Sequence, residues 1–210
     1  MLKLRNFKIK IFADGADLDS IQKLNAMNHI SGFTTNPSLM RKAGVKDYRK
    51  FAIEALKIVK RKPISFEVFS DELDEMENQA KEIASWSENV YVKIPITNSK
   101  GKKTFNLVKK LSNSSVKCNV TAILTLNQVE EIYKIANPNT DMIISIFAGR
   151  IADTGTDPLL TMVRAISLCK SKKKIEILWA STREVFNILQ ANSIGCHIIT
   201  VPHEILKKIN

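Results

Sequence analysis

Short apolar segments alternate along the chain with longer segments whose apolar residues recur with a helical period. The short segments are rich in Ile, Val and Phe and are nearly continuously apolar, which is typical of strands buried on both faces of a parallel sheet. They predict strands at Phe7–Ala13, Gly32–Thr35, Ile64–Phe69, Val90–Ile94, Val116–Leu124, Met142–Phe147, Ile175–Ala180 and His197–Val201.

Helical segments follow these strands, and local signals indicate where several of them begin or break. Gly44 interrupts the second segment, Asp71 is placed to cap the third, and Pro158 suits the first turn of a later helix. The helices are predicted at Ile21–Asn28, Ser38–Lys60, Asp71 to about Trp86, Lys102–Leu111, Thr125–Ala136, from Pro158 onward, Thr182–Asn192 and Pro202–Ile209.

This alternation gives about eight strand–helix units, and a parallel sheet covered by helices is the architecture that it favours. Eight units predict a (β/α)₈ TIM barrel, a single α/β domain over residues 1–210 with Lys93 on strand 4. A doubly wound open sheet is the alternative. No G-x-G-x-x-G or Walker-type loop follows any predicted strand, so nothing in the sequence supports a nucleotide-binding version of it.

Composition limits the classes of function. Three scattered cysteines and three scattered histidines have no metal-ligand spacing, so we expect no metal and no disulfide framework. No apolar run is long enough to span a membrane and no apolar h-region follows the basic N-terminus, so we expect a cytoplasmic protein.

The net charge of +11 could indicate nucleic acid, an anionic surface or anionic metabolites as partners. The basic clusters lie at or just after predicted helix ends and carry no interleaved aromatic residues. They therefore favour a solvated basic surface over a nucleic-acid interface. The clusters are Lys57–Lys62, Lys100–Lys103, Lys170–Lys174 and Lys207–Lys208.

Lys93 lies one residue before the end of an apolar strand that Pro95 stops. Val92 and Ile94 flank it, and an amine in apolar surroundings loses its proton more readily than one in water. The neutral amine is a nucleophile that can form a Schiff base with a carbonyl compound. A solvated lysine at a strand end is the alternative that this segment alone leaves open.

Polar residues end seven successive units, although the strands themselves are apolar. The active sites of barrels of this class lie at the C-terminal strand ends, so these residues would share one rim. Each of them could instead cap a helix or turn. Two carboxylates and a lysine are the groups that Schiff-base chemistry needs, and two arginines suit a phosphate. The residues are Asp14, Asn36, Glu67, Lys93, Asn119 with Thr121, Ser145 with Arg150, and Ser181 with Arg183.

The sequence resembles the transaldolase and fructose-6-phosphate aldolase family, with about one matching stretch per strand and all of them in family order. Thr34-Thr-Asn-Pro-Ser38 and Val92-Lys-Ile-Pro95 are the most specific of these stretches. The others are Ile11-Phe-Ala-Asp-Gly-Ala-Asp17, Phe66-Glu-Val68, Asn119-Val-Thr121, Ser145-Ile-Phe-Ala-Gly-Arg-Ile151, Ala180-Ser-Thr-Arg183 and Thr200-Val-Pro202.

The resemblance implies a class I transaldolase that needs no cofactor and acts on sugar phosphates. Lys93 would form an iminium ion with a ketose phosphate, fructose 6-phosphate or sedoheptulose 7-phosphate. Asp14 would take the C4 hydroxyl proton, and Glu67 with Thr121 would hold a proton-shuttling water. Substrate hydroxyls would bind Asn36, Asn119 and Ser145, and the phosphate would bind Arg150, Ser181 and Arg183.

Glu67, Phe147 and Arg183 match the transferase branch, because free aldolases usually have glutamine and tyrosine at the first two positions. A free aldolase, an enzyme for another anionic sugar, and a non-catalytic barrel that binds sugar phosphates or RNA remain alternatives. The chain departs from the family at Gly15, Ile146 and Thr182.

The sequence ends about one helix after the last predicted strand, whereas short family members usually carry a further extension that joins subunits. A homo-oligomer is compatible with the sequence, but its size is not predicted.

Overall fold

The computed structural model describes residues 7–209, in which eight parallel strands close into a barrel. Each strand pairs with its neighbours in chain order, and β1 also pairs with β8. The strands are Lys10–Asp14, Ile30–Thr34, Ile64–Glu67, Val90–Pro95, Cys118–Ile123, Met142–Ile146, Ile175–Trp179 and Ile198–Pro202, numbered β1 to β8.

Helices connect successive strands on the outside of the barrel, as parallel pairing requires. They are Leu18–Asn25, Pro37–Lys42, Tyr48–Ile58, Leu73–Ser85, Phe105–Asn113, Leu126–Ile135, Ala148–Ala152, Pro158–Cys169, Phe186–Ser193 and His203–Leu206, numbered α1 to α10, and a 3₁₀ turn follows at Lys207–Ile209.

The predicted (β/α)₈ barrel is confirmed, with Lys93 on its fourth strand. The open-sheet alternative is wrong, because β8 returns to pair with β1 along five residues. The predicted domain, residues 1–210, begins and ends outside the described residues, and Phe7, predicted to start the first strand, precedes its first residue, Lys10.

Period-two alternation along each strand divides the core into an outer and an inner part. On β4, Val90, Val92 and Ile94 face the helices and join the large core between sheet and helices. Burying one such side chain fully stabilises the fold by about 1.5–3 kcal/mol. A separate small cluster of Phe12, Ile143, Leu178, Ala180 and Ile198 lies within the barrel.

Local signals placed most helices correctly, with two instructive differences. Gly44 ends α2 with a φ of +73°, and Pro158 starts α8, both as predicted. Asp71, however, does not cap α4. Its carboxylate accepts hydrogen bonds from the backbone and hydroxyl of Ser99, and the helix begins after Glu72 with no side-chain cap.

The helix predicted from Thr182 begins four residues later, as α9. The hydroxyl of Thr182 donates to the carbonyl of Thr200, and the side chain of Asn187 accepts from the backbone of Arg183 and Glu184. These bonds tie the segment after β7 to β8 and hold the chain out of a helix until Phe186.

Candidate active site

Inward-facing positions on the strands carry apolar side chains low in the barrel and polar side chains near its C-terminal end. Phe12 fills much of the lower interior, and a Cβ on Gly32 would lie only 2.6 Å from its ring. Two residues further along the same strands, Asp14 and Thr34 pair in register. The change from apolar to polar within one step of the alternation creates the floor and the walls of a site.

Lys93 lies at the centre of three strands whose inward side chains share one level. Glu67 on β3 and Asn119 on β5 are its direct partners in register. The lysine is only 8% exposed, its Nζ donates to the carbonyl of Thr35 at 3.1 Å, and Nζ lies 3.7 Å from Oε2 of Glu67. The amine therefore has polar neighbours contributed by other strands, whereas its apolar sequence neighbours face the helices.

Both carboxyl groups predicted for the site lie near the lysine. Burial raises the pKa of Asp14 above its ordinary value, opposed by the charge of Lys93 and by a 2.7 Å hydrogen bond from the hydroxyl of Thr34. Burial likewise raises the pKa of Glu67, and the charge of Lys93 again opposes the change. Two carboxyl groups with raised pKa values beside a lysine are suited to taking up and releasing protons.

A buried chain of polar side chains extends from β6 to β3. The hydroxyl of Ser145 donates to Oδ1 of Asn119 at 2.6 Å, and Nδ2 of Asn119 donates to the hydroxyl of Ser65 at 3.0 Å. These bonds fix the amide of Asn119 beside Lys93. Ser145 and Asn119 are thus brought together as predicted.

Thr121 lies one step of alternation beyond Asn119 on β5, opposite Pro95. Its hydroxyl is buried and has no hydrogen-bond partner among residues 7–209. Leaving such a group unpaired costs about 1–3 kcal/mol, so this position is suited to a bound water or a substrate oxygen. The next residue, Ala122, has a φ of +60°, where the pairing of β5 with β6 shifts register.

The predicted phosphate side is formed by α7 and the segment after β7. A Cβ on Gly149 would lie 1.7 Å from the carbonyl oxygen of Ser181, so the two backbones touch. This contact holds Arg150 of α7 near the segment that carries Arg183. Arg150 is exposed, while Arg183 is about half exposed and forms an ion pair with Asp153, a partner that the sequence did not indicate.

The alternative that these polar residues are ordinary helix caps holds for one of them. Asn36 caps α2, with its Oδ1 accepting from the backbone of Leu39 at 2.9 Å, which leaves its amide nitrogen to donate to a substrate. The cap of α1 is Asp17 and not Asp14, Ser145 bonds to Asn119, and α9 begins after Val185 rather than Ser181.

Four polar neighbours of the site received no role from the sequence, and three of them are hydroxyl side chains inside the barrel. Thr34 and Thr200 are buried and lie on either side of Asp14, and Ser65 holds the amide of Asn119. Period-two counting back from Asn36, Pro202 and Glu67 would have placed all three inside the barrel. The fourth, His203, packs its ring where a side chain at Gly15 would lie, and no sequence periodicity indicates that contact.

The part of the chain that the structure describes contains no helix with the length and apolar character of a membrane span. Within residues 7–209, His, Cys, Asp and Glu side chains form no group of three or more that could hold a metal ion.

Known proteins are similar to this chain over most of its length. The family described as Transaldolase/Fructose-6-phosphate aldolase matches residues 11–210. A probable transaldolase of Thermoanaerobacter sp. (strain X514) is 38% identical over 202 residues, 96% of this chain and 89% of that protein. A probable transaldolase of Clostridium kluyveri (strain ATCC 8527 / DSM 555 / NBRC 12016 / NCIMB 10680 / K1) is 36% identical over 199 residues, 94% of this chain and 88% of the relative.

One solved structure extends the likeness to the backbone alone. The crystal structure of a HpcH/Hpal aldolase/citrate lyase family protein from Burkholderia cenocepacia J2315 gives a TM-score of 0.61 at 12% identity, and the match covers 98% of this chain and 93% of that one. At that identity the likeness supports the barrel only. The sequence matches carry the assignment: the chain belongs to the transaldolase/fructose-6-phosphate aldolase family.

Proposed function

We propose that this protein is a transaldolase that moves a dihydroxyacetone unit from a ketose phosphate to an aldose phosphate through a Schiff base on Lys93. The observation that carries the proposal is the buried amine of Lys93, held at 3.1 Å from a carbonyl and 3.7 Å from Glu67, with the carboxyl group of Asp14 close by. A nucleophile with two proton-exchanging neighbours is what Schiff-base formation and aldol cleavage both require.

The first half-reaction begins when the neutral amine of Lys93 attacks the C2 carbonyl of fructose 6-phosphate or sedoheptulose 7-phosphate. Loss of the C2 oxygen as water gives an iminium ion. Asp14 takes the proton of the C4 hydroxyl, the C3–C4 bond breaks, and its electron pair moves to the iminium nitrogen. An aldose phosphate leaves with the new carbonyl at the former C4, and the three-carbon enamine stays on Lys93.

The second half-reaction reverses these steps with a different aldehyde. The enamine attacks the carbonyl carbon of the acceptor, Asp14 returns its proton to the new alkoxide, and water releases the product from Lys93. The raised pKa of Asp14 suits a group that must both take and return a proton.

Glu67 and Thr121 are proposed to hold the water that moves protons while the Schiff base forms. Oε2 of Glu67 lies 3.7 Å from the amine of Lys93, and the Thr121 hydroxyl lacks a partner within residues 7–209. A water between them would satisfy that hydroxyl and connect it to the carboxylate.

The remaining contacts would orient the sugar phosphate. Asn36, Asn119 and Ser145 would bind its hydroxyl groups, and the phosphate would bind Ser181 and the arginines Arg150 and Arg183. Arg183 would then share its guanidinium between the phosphate and Asp153, its present partner.

Phe147 favours transfer over free cleavage to dihydroxyacetone, because its ring offers no proton to the enamine. A free aldolase, or an enzyme for another anionic sugar, is the second candidate within the family. A non-catalytic barrel for sugar phosphates or RNA is disfavoured, since binding alone gives no reason to bury Lys93 between two carboxyl groups.

The test combines a coupled assay with trapping. Fructose 6-phosphate should be consumed faster with erythrose 4-phosphate present than without it, and borohydride with fructose 6-phosphate should leave an adduct on the peptide that contains Lys93. Lys93→Met should abolish both the adduct and turnover, because methionine keeps the volume but not the amine. Lys62 also donates to backbone carbonyls, so Lys62→Met is the matched control and should retain both.

An adduct on another lysine, or a fully active Lys93→Met protein, would contradict the mechanism. If fructose 6-phosphate is consumed equally fast with and without erythrose 4-phosphate, the protein is a free aldolase and not a transaldolase.

A further inference from the structure

Three side chains on neighbouring strands form a continuous chain of hydrogen bonds at the predicted catalytic base. Thr34 on β2 donates from its hydroxyl to Oδ1 of Asp14 on β1 at 2.7 Å. The same hydroxyl oxygen is hydrogen-bonded to the hydroxyl of Thr200 on β8. Thr34 is 1% exposed and Thr200 6% exposed, so protein rather than solvent determines the direction of these bonds.

Proton counting fixes that direction. An ionised carboxylate can only accept, so Thr34 must give its single hydroxyl proton to Asp14. The hydroxyl of Thr200 must then donate to Thr34, because Thr34 has no second proton. When Asp14 takes a proton on Oδ2, its Oδ1 atom remains an acceptor, so both hydroxyls keep their direction. The pair therefore keeps one arrangement in both protonation states of the carboxyl group.

The backbone keeps these partners at their distances. The carbonyl of Thr200 accepts from the hydroxyl of Thr182, which anchors β8 at this level. Thr34 is followed by Thr35, whose carbonyl accepts from Nζ of Lys93. One short segment at the end of β2 thus holds both the nucleophile and the base of the proposed reaction.

We propose that Thr34 and Thr200 are positioning residues that orient the Asp14 carboxylate, occupy its Oδ1 atom and leave Oδ2 as the atom that exchanges the proton with the substrate. This inference rests on the proposed function, because it assigns Asp14 the role of base. Charge-assisted bonds of this kind favour the ionised carboxylate, so they oppose the rise in the pKa of Asp14 that burial causes.

Other charges face Asp14 and must be held constant in a test. The charges of Lys93 on β4 and of His203 on α10 favour the ionised carboxyl group of Asp14, and Glu67 on β3 also interacts with it. The variants therefore alter only the hydroxyl groups: Thr34→Val and Thr200→Val keep the side-chain shape and remove the donors.

Removing the Thr34 donor should lower kcat about tenfold or more, with KM little changed, because the bond is made to a charged group. The acid limb of the kcat/KM profile should move to higher pH, since the carboxylate loses a stabilising bond. Thr200→Val should move the limb in the same direction by less, and Thr34→Ser should restore both the rate and the profile.

Thr140→Val is the matched control. Thr140 is buried to the same extent as Thr200, and its hydroxyl donates to the carbonyl of Ser112 at 2.8 Å, away from Asp14. It should lose stability in a thermal melt without moving the pH profile. If Thr34→Val does not fold, Thr200→Val is compared with Thr200→Ser instead. The acid limb of the kcat/KM profile should move in the valine variant and not in the serine variant.

Trapping with borohydride separates this inference from the proposed function. The adduct on Lys93 should form normally in the threonine variants, because Asp14 acts after the Schiff base. An unchanged acid limb in Thr34→Val and Thr200→Val, with a normal adduct, overturns the inference alone. Loss of the wild-type adduct overturns the proposed function.

Discussion

Gly149 gives the sharpest test of how the proposed phosphate-binding side of the site is built. It lies inside α7, where alanine would stabilise a helix by about 1 kcal/mol on propensity alone. A Cβ at this position would lie 1.7 Å from the carbonyl oxygen of Ser181. Restoring an ordinary contact would require α7 or the segment after β7 to move by roughly 2 Å.

The expected result of Gly149→Ala is therefore a loss of stability. Forcing atoms into a packed contact costs about 1–3 kcal/mol, and here the obstacle is backbone rather than the end of a flexible side chain. A loss near 3 kcal/mol would lower the Tm by about 6–12 °C in a chain of this size. Because the shift also moves Arg150, the KM for phosphorylated donors should rise.

Calorimetry and donor kinetics together check this expectation. Gly155→Ala is the control: nothing lies within 4 Å of its Cβ, and its φ of +77° predicts only backbone strain of about 1–2 kcal/mol. A Gly149→Ala protein as stable as the wild type, or more stable, would mean that the close contact with Ser181 does not shape this side of the barrel.

Three further predictions concern the same site. Arg150→Ala and Arg183→Ala should weaken the use of phosphorylated donors far more than of dihydroxyacetone, and equal losses on both would mean that the arginines are structural. Gly15→Thr should destabilise the protein by about 1–3 kcal/mol in a thermal melt, because the new Cβ would lie 2.5 Å from the ring of His203, and adding His203→Ala should recover most of the loss. Asp14→Asn should raise the Tm at neutral pH. Because burial raises the folded-state pKa of Asp14, its ionisation destabilises the native state as pH rises above about 4, so the gain in Tm should shrink toward that pH.

The barrel and its rim were predictable because they depend on local properties of the chain. Short apolar runs such as Val90–Val92 are typical of strands buried between two layers, and the polar residue that follows each run must lie where parallel strands end. Lys93 and Glu67 were both found in this way, and the structure places them in register.

The surroundings of Lys93 were harder to predict. The sequence offers Val92 and Ile94 as neighbours, but on a strand these face the other side of the sheet. The amine instead meets Thr35, which follows β2, and Glu67 on β3, which closure of the sheet brings close. Sequence neighbours alone therefore gave an incomplete picture of what surrounds the amine of Lys93.

Competition between distant partners explains the local signals that failed. Asp71 is a good helix cap by sequence, but Ser99 supplies two donors from a loop 28 residues away. The segment from Thr182 has helical periodicity, but the hydroxyl of Thr182 donates to the carbonyl of Thr200 on β8. Helix propensity amounts to less than one such bond, so tertiary contacts decided both cases.

In the proposed mechanism, Phe147 determines whether the reaction ends in transfer or in free cleavage. Its backbone donates to the carbonyl of Ile123 at 2.8 Å, and its ring packs against the small cluster within the barrel. After C3–C4 cleavage the enamine on Lys93 either attacks an aldehyde or is protonated at C3 and hydrolysed. Protonation needs a donor near C3, which a phenylalanine ring does not supply and a tyrosine hydroxyl would.

We therefore expect Phe147→Tyr to raise the release of dihydroxyacetone without acceptor and to lower the rate of transfer. A decrease of about 1.4 kcal/mol in the barrier to protonation would appear as a tenfold gain in release. Phe186→Tyr is the control: the ring of Phe186 is exposed on α9, so the added hydroxyl should change neither rate. If Phe147→Tyr instead lowers both rates together, the ring serves packing alone, and the preference for transfer must come from other residues.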